Sequence, residues 1–570
     1  MAGASTLARP RSRPEQAEAA APPTGIERPR RAARRRFWLA VGAAVLAGLA
    51  LRLAIGATDD APSTDEVAYL ASGISLAKGN GFARGGHPEL HFPPLIPALL
   101  GGADHVVPDP HTGAVILTWL TGTVLIVPLA LLGRRLGGER AGIAVAWVAA
   151  LAPGLATTPA ARGAGSESEY TLLVLASTAL VVAAAGRARS APVAATALAA
   201  GAGLCLGLAY LARPEGLLLA VPLGLALVLA LRPDRRAAGR ALAAFAIPLA
   251  VCVVPYAAYL HSHSGRWELT AKTQDRSIEA WHAVARNDRE ARDRELYTPD
   301  ATGWDFPAER SSLTALARDD PAAYAGIVRT NLWMLATNLA GWWLLPLPVW
   351  ALAARGAWRR RRSGTVRLLV AVALVPVVTS LAFFVQPRYL LVTTAVACVL
   401  AGAELASLAP GRWRSVITVA AGVMLLAASA GAFMGDGGWW HPVDHTDQRR
   451  AGEWIAAHTR PDDRVMARSF VVEHYAERAT VAMPYDDLDG ILAFARHYGV
   501  RWLVVDETSA ARVRPQVLPL LTAGSAPDGL VMMYSTTDEG RTTRVFALDP
   551  VPPPVAEPGP SLGFMGDGTG

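Results

Sequence analysis

An all-α polytopic membrane protein of about eleven transmembrane helices, with a small C-terminal exterior α/β domain, is the fold class this sequence predicts. Three observations carry it. Of 570 residues, 52% are hydrophobic and only 18% charged, with mean hydropathy +0.28. A water-soluble enzyme of this length does not sustain that combination. The apolar residues fall in blocks near the ~20 residues needed to cross ~30 Å of hydrocarbon. The arginines fall on every second connection between those blocks.

Apolar runs cover 37–57, 112–133, 141–160, 170–185, 191–211, 216–231, 241–260, 332–354, 368–385, 389–408 and 415–434, the fourth and sixth being short. Many are rich in Ala, Gly and Pro, which suits close helix packing in lipid. Residues 1–36, 134–140, 186–190, 232–240, 355–367 and 410–414 hold 26 of the 54 basic residues, all arginine. The positive-inside rule makes those segments cytoplasmic. It leaves 58–111, 161–169, 212–215, 261–331, 386–388 and the chain after Met434 outside. An odd span count agrees, since a cytoplasmic N-terminus then requires an exterior C-terminus. The net charge of +7 thus belongs to topology and not to a nucleic-acid surface. Cys205, Cys252 and Cys398 lie in apolar runs as small packing residues, which excludes a disulfide scaffold. Two lysines against many arginines fit a GC-rich bacterial gene and hence a bacterial plasma membrane.

The chain divides into a disordered basic arm (1–36), a transmembrane region (37–435), an exterior α/β domain (440–550) and a Pro/Gly-rich tail (551–570). In the large exterior loop 261–331, residues 276–297 read as an amphipathic helix at the membrane surface, with Ile278, Trp281, Val284 and Ala285 at helical spacing. In the C-terminal region 446–458 and 486–498 read as helices. Residues 464–468, 501–506, 530–535 and 544–548 read as strands.

Ionisable residues at span ends are costly unless they face a cavity, which makes them functional candidates. Asp65 and Glu66 open a short helix that continues through Tyr69; a carboxylate there also caps backbone N–H groups, so capping and function both account for the pair. His91 begins a Pro-rich turn, His91-Phe-Pro-Pro-Leu95. Pro88 and Pro93 argue against a helical metal pair of His87 and His91. Glu167, with Glu169, starts the fourth span, where an N-terminal first turn also welcomes acids. Arg213-Pro-Glu215 and Pro387-Arg388-Tyr389 break the charge pattern by placing arginine outside. Snorkelling explains either singly; together with the acids they imply an exterior cavity for an anion.

These pieces, in this order, resemble the family-39-like membrane glycosyltransferases of the GT-C fold, which include protein O-mannosyltransferases and aminoarabinose-type transferases. The matching residues are Asp65-Glu66-x-x-Tyr69 with Gly79-x-Gly-Phe82, Phe92-Pro-Pro-Leu95, Ser166-Glu167-x-x-Tyr170, Tyr210-Leu-Ala-Arg213-Pro-Glu215-Gly216 and Pro387-Arg388-Tyr389-Leu390, with Glu453-Trp-Ile455 and Gly499-Val-Arg-Trp-Leu-Val-Val505 in the tail. Where some members carry Lys before the Pro-Pro pair, this chain has His91-Phe92. The resemblance implies transfer of a sugar from a polyprenyl-monophosphate donor to an acceptor hydroxyl on a glycan, lipid or protein at the exterior face. Asp65 is then the general base, with inversion at the sugar carbon. Glu66 and Glu167 position the acceptor or the sugar hydroxyls. Arg388 is the foremost cation for the leaving phosphate, followed by Arg213 and His91, then Lys78. No metal and no other cofactor is expected, Asp59, Asp60 and Asp65 being the nearest approach to an acidic cluster. A lipid-linked-sugar flippase predicts mid-span charges and inverted repeats instead. A non-catalytic envelope protein would account for the tail but not for the acid and arginine sites.

Overall fold

The computed structural model describes residues 27–55, 62, 64–84, 87–107, 109–156, 165–232, 234–272, 277–278, 280–297, 313–434, 445–553 and 555. Residues 1–26 of the basic arm, Asp59, Asp60 and 556–570 of the tail lie outside them. Eight described helices are long and apolar enough to cross a membrane, as in a multi-pass membrane protein. The eleven expected runs map onto them with three differences. Runs 112–133 and 141–160 share the helical stretch Pro110–Leu151, which breaks at Gly137 and Gly138. Gly138 takes φ +76, a conformation that favours glycine. Its two arms then pack so closely that a Cβ on Gly133 would stand 2.6 Å from Val145 Cγ2. Run 216–231 becomes a 3₁₀ turn, Pro214–Leu219, and an 11-residue helix, Ala220–Ala230.

Run 332–354 is not one span. Helix Pro321–Ala340 ends at Gly341, and a second helix, Leu347–Arg359, starts after Pro346. Pro346 and Pro348 offer no N–H to a continuing helix. Of the irregular segment between the helices, Leu344, Leu345 and Pro346 are buried in protein, with Leu344 O accepting from Gly154 N at 3.0 Å, while Trp342 is exposed. Arg52, buried near the end of the first helix, donates to Gly48 O at 2.9 Å, to Gly122 O at 3.2 Å and to Leu155 O. It thereby satisfies carbonyls near another chain break.

Helix Thr64–Ala77, with Asp65 in its first turn, packs on Leu95–Asp104. Two glycines make the contact: a Cβ on Gly73 would lie 2.5 Å from Pro97 O, and one on Gly101 2.3 Å from Gly73 O. Between these helices a two-residue hairpin, β1 (Ala83–Arg84) and β2 (His87–Pro88), leads to buried Glu89. Glu89 Oε1 accepts from His91 N at 2.9 Å and Phe92 N at 3.1 Å, fixing the turn before the Pro-Pro pair.

The C-terminal region holds a five-stranded sheet of β3 (Arg464–Ala467), β4 (Ala479–Ala482), β5 (Val500–Asp506), β6 (Leu530–Asp538) and β7 (Arg541–Leu548), in the order β4-β3-β5-β7-β6. β3, β4 and β5 run parallel, while β7 is antiparallel to both β5 and β6. Strand alternation sorts its core: Val465, Val504 and Val545 face one helical layer, Met466, Leu503 and Phe546 the other. The four expected strands are present. β4 and helices Phe470–Ala476 and Glu507–Val513 are too short to show a period in sequence.

The expected helix 276–297 is corrected. The described part is a π-helical turn, Ala280–Ala285, and a helix, Arg289–Leu296, separated by Asn287 at φ +52. Ile278 is buried against Val67, Leu296, Tyr297, Phe470 and Ala482 instead of lying on a membrane surface. The loop's charges also turn inward. Buried Asp293 accepts from Arg468 Nη2 at 2.9 Å and from Arg514, with Arg292 Nη2 at 3.2 Å. The C-terminal domain is thereby fastened to the loop and, through Phe470, to the Asp65 helix.

Candidate active site

Residues 323 positions apart meet where Arg388 Nη1 donates to Asp65 Oδ2 at 2.9 Å. Arg388 sits in a 3₁₀ turn, Pro387–Leu390, and its Nε donates to Gln386 Oε1 at 2.6 Å. Arg213 is extended (φ −148, ψ 123), as a residue before proline prefers. That conformation sends its guanidinium into the same place. Nη1 donates to Glu167 Oε1 at 2.6 Å and Ser166 Oγ at 3.2 Å, and Nε donates to Glu215 Oε1 at 2.6 Å. Glu167 Oε1 also lies 3.8 Å from Arg388 Nε, so one carboxylate joins both arginines. Its other oxygen accepts from Ser166 N at 3.0 Å.

Aromatic groups complete the frame. The Tyr389 ring centre lies 4.9 Å from the Arg213 guanidinium and 5.3 Å from that of Arg388. Tyr69 donates its hydroxyl to Ser166 Oγ at 3.1 Å. Burial first, then the charges of Asp65 and Glu167, pushes the Tyr69 phenol above its ordinary range, so it stays a neutral donor. Burial opposes the charge on Arg213, but Glu215 and Glu167 outweigh it and hold the guanidinium well above its ordinary value.

Beside this network opens a cavity of about 370 Å³. Glu167, Arg213, Glu215, Lys272 and Arg388 line its charged part; Leu217, Leu218, Pro376, Phe383, Phe384 and Leu391 line its apolar part. Leu218 is half exposed on the bundle's flank. The arrangement suits an amphiphile with an anionic head and a hydrocarbon tail. Among the described residues, no group of three or more His, Cys, Asp or Glu side chains is arranged to hold a metal ion.

The structure thus brings together Asp65, Tyr69, Glu167, Arg213, Glu215, Arg388 and Tyr389. Glu66 is not brought with them: its buried carboxylate pairs with His111 Nδ1. His91 is buried edge-on to Phe92 and does not line the cavity. Lys78 is exposed at its helix end. The cation that sequence reasoning missed is Lys272, which lines the cavity with Nζ 4.4 Å from the Phe92 ring centre. Its signal was scarcity, as one of only two lysines in the chain.

No protein-family model and no curated protein sequence matches the chain. Solved structures do match it. ArnT from Cupriavidus metallidurans, bound to undecaprenyl phosphate, aligns at TM-score 0.58 and 13% identity over 90% of this chain and 99% of that one. The oligosaccharyltransferase AglB from Archaeoglobus fulgidus, in complex with an inhibitory peptide and a dolichol-phosphate, aligns at TM-score 0.55 and 14% identity over 90% and 74%. The apo form of the Archaeoglobus fulgidus oligosaccharyltransferase gives TM-score 0.56 and 13% identity over 91% and 75%. Likeness at such identities is one of architecture, and the architecture of this chain is the GT-C fold.

Proposed function

We propose that the protein is a membrane glycosyltransferase, moving a sugar from a polyprenyl-monophosphate donor to an acceptor hydroxyl at the exterior face of the plasma membrane. The observation that carries this reading is the Asp65–Arg388 pair beside a cavity charged on one side and apolar on the other. The Cupriavidus and Archaeoglobus proteins were solved with polyprenyl-type phosphates, which lends support from the same fold.

The donor phosphate lies among Arg388, Arg213 and Lys272, and its hydrocarbon follows Leu217, Leu218 and Phe383. Asp65, Glu167 and Glu215 match those three cations in charge. An arriving phosphate competes with Asp65 for Arg388 and frees Oδ2. That oxygen then takes the acceptor hydroxyl's proton as the new C–O bond forms on the face opposite the breaking bond, which inverts the sugar carbon. The C–O bond to phosphate breaks with its electron pair on the phosphate, and the guanidinium groups stabilise the added charge. Glu167 keeps both arginines in register.

Asp65→Asn tests the reading. Purified variant should bind undecaprenyl phosphate at least as tightly as wild type, because the group that competes for Arg388 has lost its charge. Cells carrying it should lose the envelope glycan that mass spectrometry finds only when the wild-type gene is present, a rate loss of ~10²–10⁴-fold. Normal glycan in those cells would remove Asp65 from the chemistry.

A further inference from the structure

A second charged assembly stands at the far end of the helix that Arg388 leads into, and the proposed transfer makes no use of it. Glu404, near the end of Leu391–Ser407, is sixteen residues from Arg388, roughly 24 Å along the axis. It is fully buried and accepts from three guanidiniums: Arg355, Arg359 Nη1 at 3.0 Å and Arg360 Nη1 at 2.6 Å. One carboxylate neutralises one of those charges. Arg360 is turned inward and also donates to Ala403 O at 3.1 Å. Arg355 and Arg359 are half exposed, and among the described residues each is engaged through Nη1 alone. Their Nε and Nη2 groups are left for another acceptor.

The surroundings select its chemistry. Arg361, Arg362, Arg367 and Arg412 are exposed nearby in the chain, and no Asp or Glu occurs from 341 to 403 or from 405 to 434. Trp358 is exposed, with the Arg361 guanidinium 4.5 Å from its ring centre, as befits an indole at a membrane–water boundary. Ala351, Ala354 and Leu374 face outward on the two adjoining helices. A topology anchor needs only a count of positive charges. It does not need three of them gathered on one buried carboxylate with two forks held open.

We propose that this corner binds the phosphate of an anionic phospholipid, Arg355 and Arg359 gripping its oxygens while the acyl chains lie along the outward faces of Leu347–Arg359 and Gly364–Ala382. Glu404 holds the guanidiniums in place, and the excess positive charge selects the headgroup. The assignment stands independently of the transferase reading.

The test uses purified full-length protein in nanodiscs of mixed phosphatidylglycerol and phosphatidylcholine, with retained lipids counted by native mass spectrometry. Wild type should keep phosphatidylglycerol in preference to phosphatidylcholine. Arg355→Gln/Arg359→Gln, with Arg360 left to pair Glu404, should weaken phosphatidylglycerol retention about tenfold or more and leave phosphatidylcholine unchanged. The single variant Arg359→Gln should fall between the two and serves if the double variant is unstable. Equal retention of the two lipids by wild type, or undiminished phosphatidylglycerol in the folded variants, would overturn the assignment. So would displacement of the lipid by millimolar inorganic phosphate, which marks a small-anion site.

Discussion

Arg388 and Glu167 divide the labour of the pocket between them. Arg388 reaches Asp65 and Glu167, while Glu167 also anchors Arg213. Arg388→Ala should lower donor use by about 10²–10³-fold, read as turnover on a saturating acceptor. Arg388→Lys should recover only part of it, because an ammonium lacks the planar fork. Glu66→Gln should cost far less transfer than Asp65→Asn. Consecutive helical residues point about 100° apart, and Glu66 faces His111. The sequence reading placed both acids in one site, Asp65 as base and Glu66 as a positioning group; the helix turns only Asp65 toward Arg388. Arg213 and Arg388 were legible because each interrupts the charge pattern next to a proline. Lys272 was not, because no local pattern marks a loop lysine that reaches its cavity only through the tertiary fold.

At the level of elements, the Asp65 helix depends on its glycine contact with Leu95–Asp104. Gly73→Ala puts a methyl group against the Pro97 carbonyl, a backbone atom that cannot rotate aside. It should destabilise the protein by about 1–3 kcal/mol and lower turnover with little change in undecaprenyl phosphate binding, since the phosphate cations belong to other elements. Thermal unfolding and turnover together check this. Hydropathy revealed the long apolar helices, because lipid demands long apolar runs. It concealed the break at 341–346, whose Trp-Trp-Leu-Leu is as apolar as a helix. The period reading of 276–297 also failed: the segment is not one helix, and Ile278 packs on protein and not on a membrane surface. A pattern of apolar residues tells which side is covered, not by what.

Taken whole, the molecule joins its membrane bundle and C-terminal domain through charges removed from water. Burial alone pushes the Asp293 carboxyl up, but Arg468 and Arg514, with Arg292, outweigh it and hold the group well below the ordinary carboxylate range. A carboxyl lowered in the folded state stabilises above its unfolded value of about 4 and loses that contribution as pH falls further. Docking should therefore hold steady from pH 8 to pH 5 and loosen below about pH 4, read as hydrogen exchange at 289–296 and 470–476. Asp293→Asn should loosen it at pH 7 as well, by about 3–5 kcal/mol, by removing the one negative charge that three buried guanidiniums share.

The helix running from Arg388 to Glu404 is sheathed on nearly every side, with 83% of its apolar stretch buried, against 22% for Arg412–Gly431. Lipid forgives a change of shape; protein neighbours do not. In an exhaustive substitution screen, the sheathed helix should reject even swaps among Ala, Val and Leu at Ala395, Val399 and Gly402, whereas Val416, Val419 and Val423 on the last helix should accept them freely.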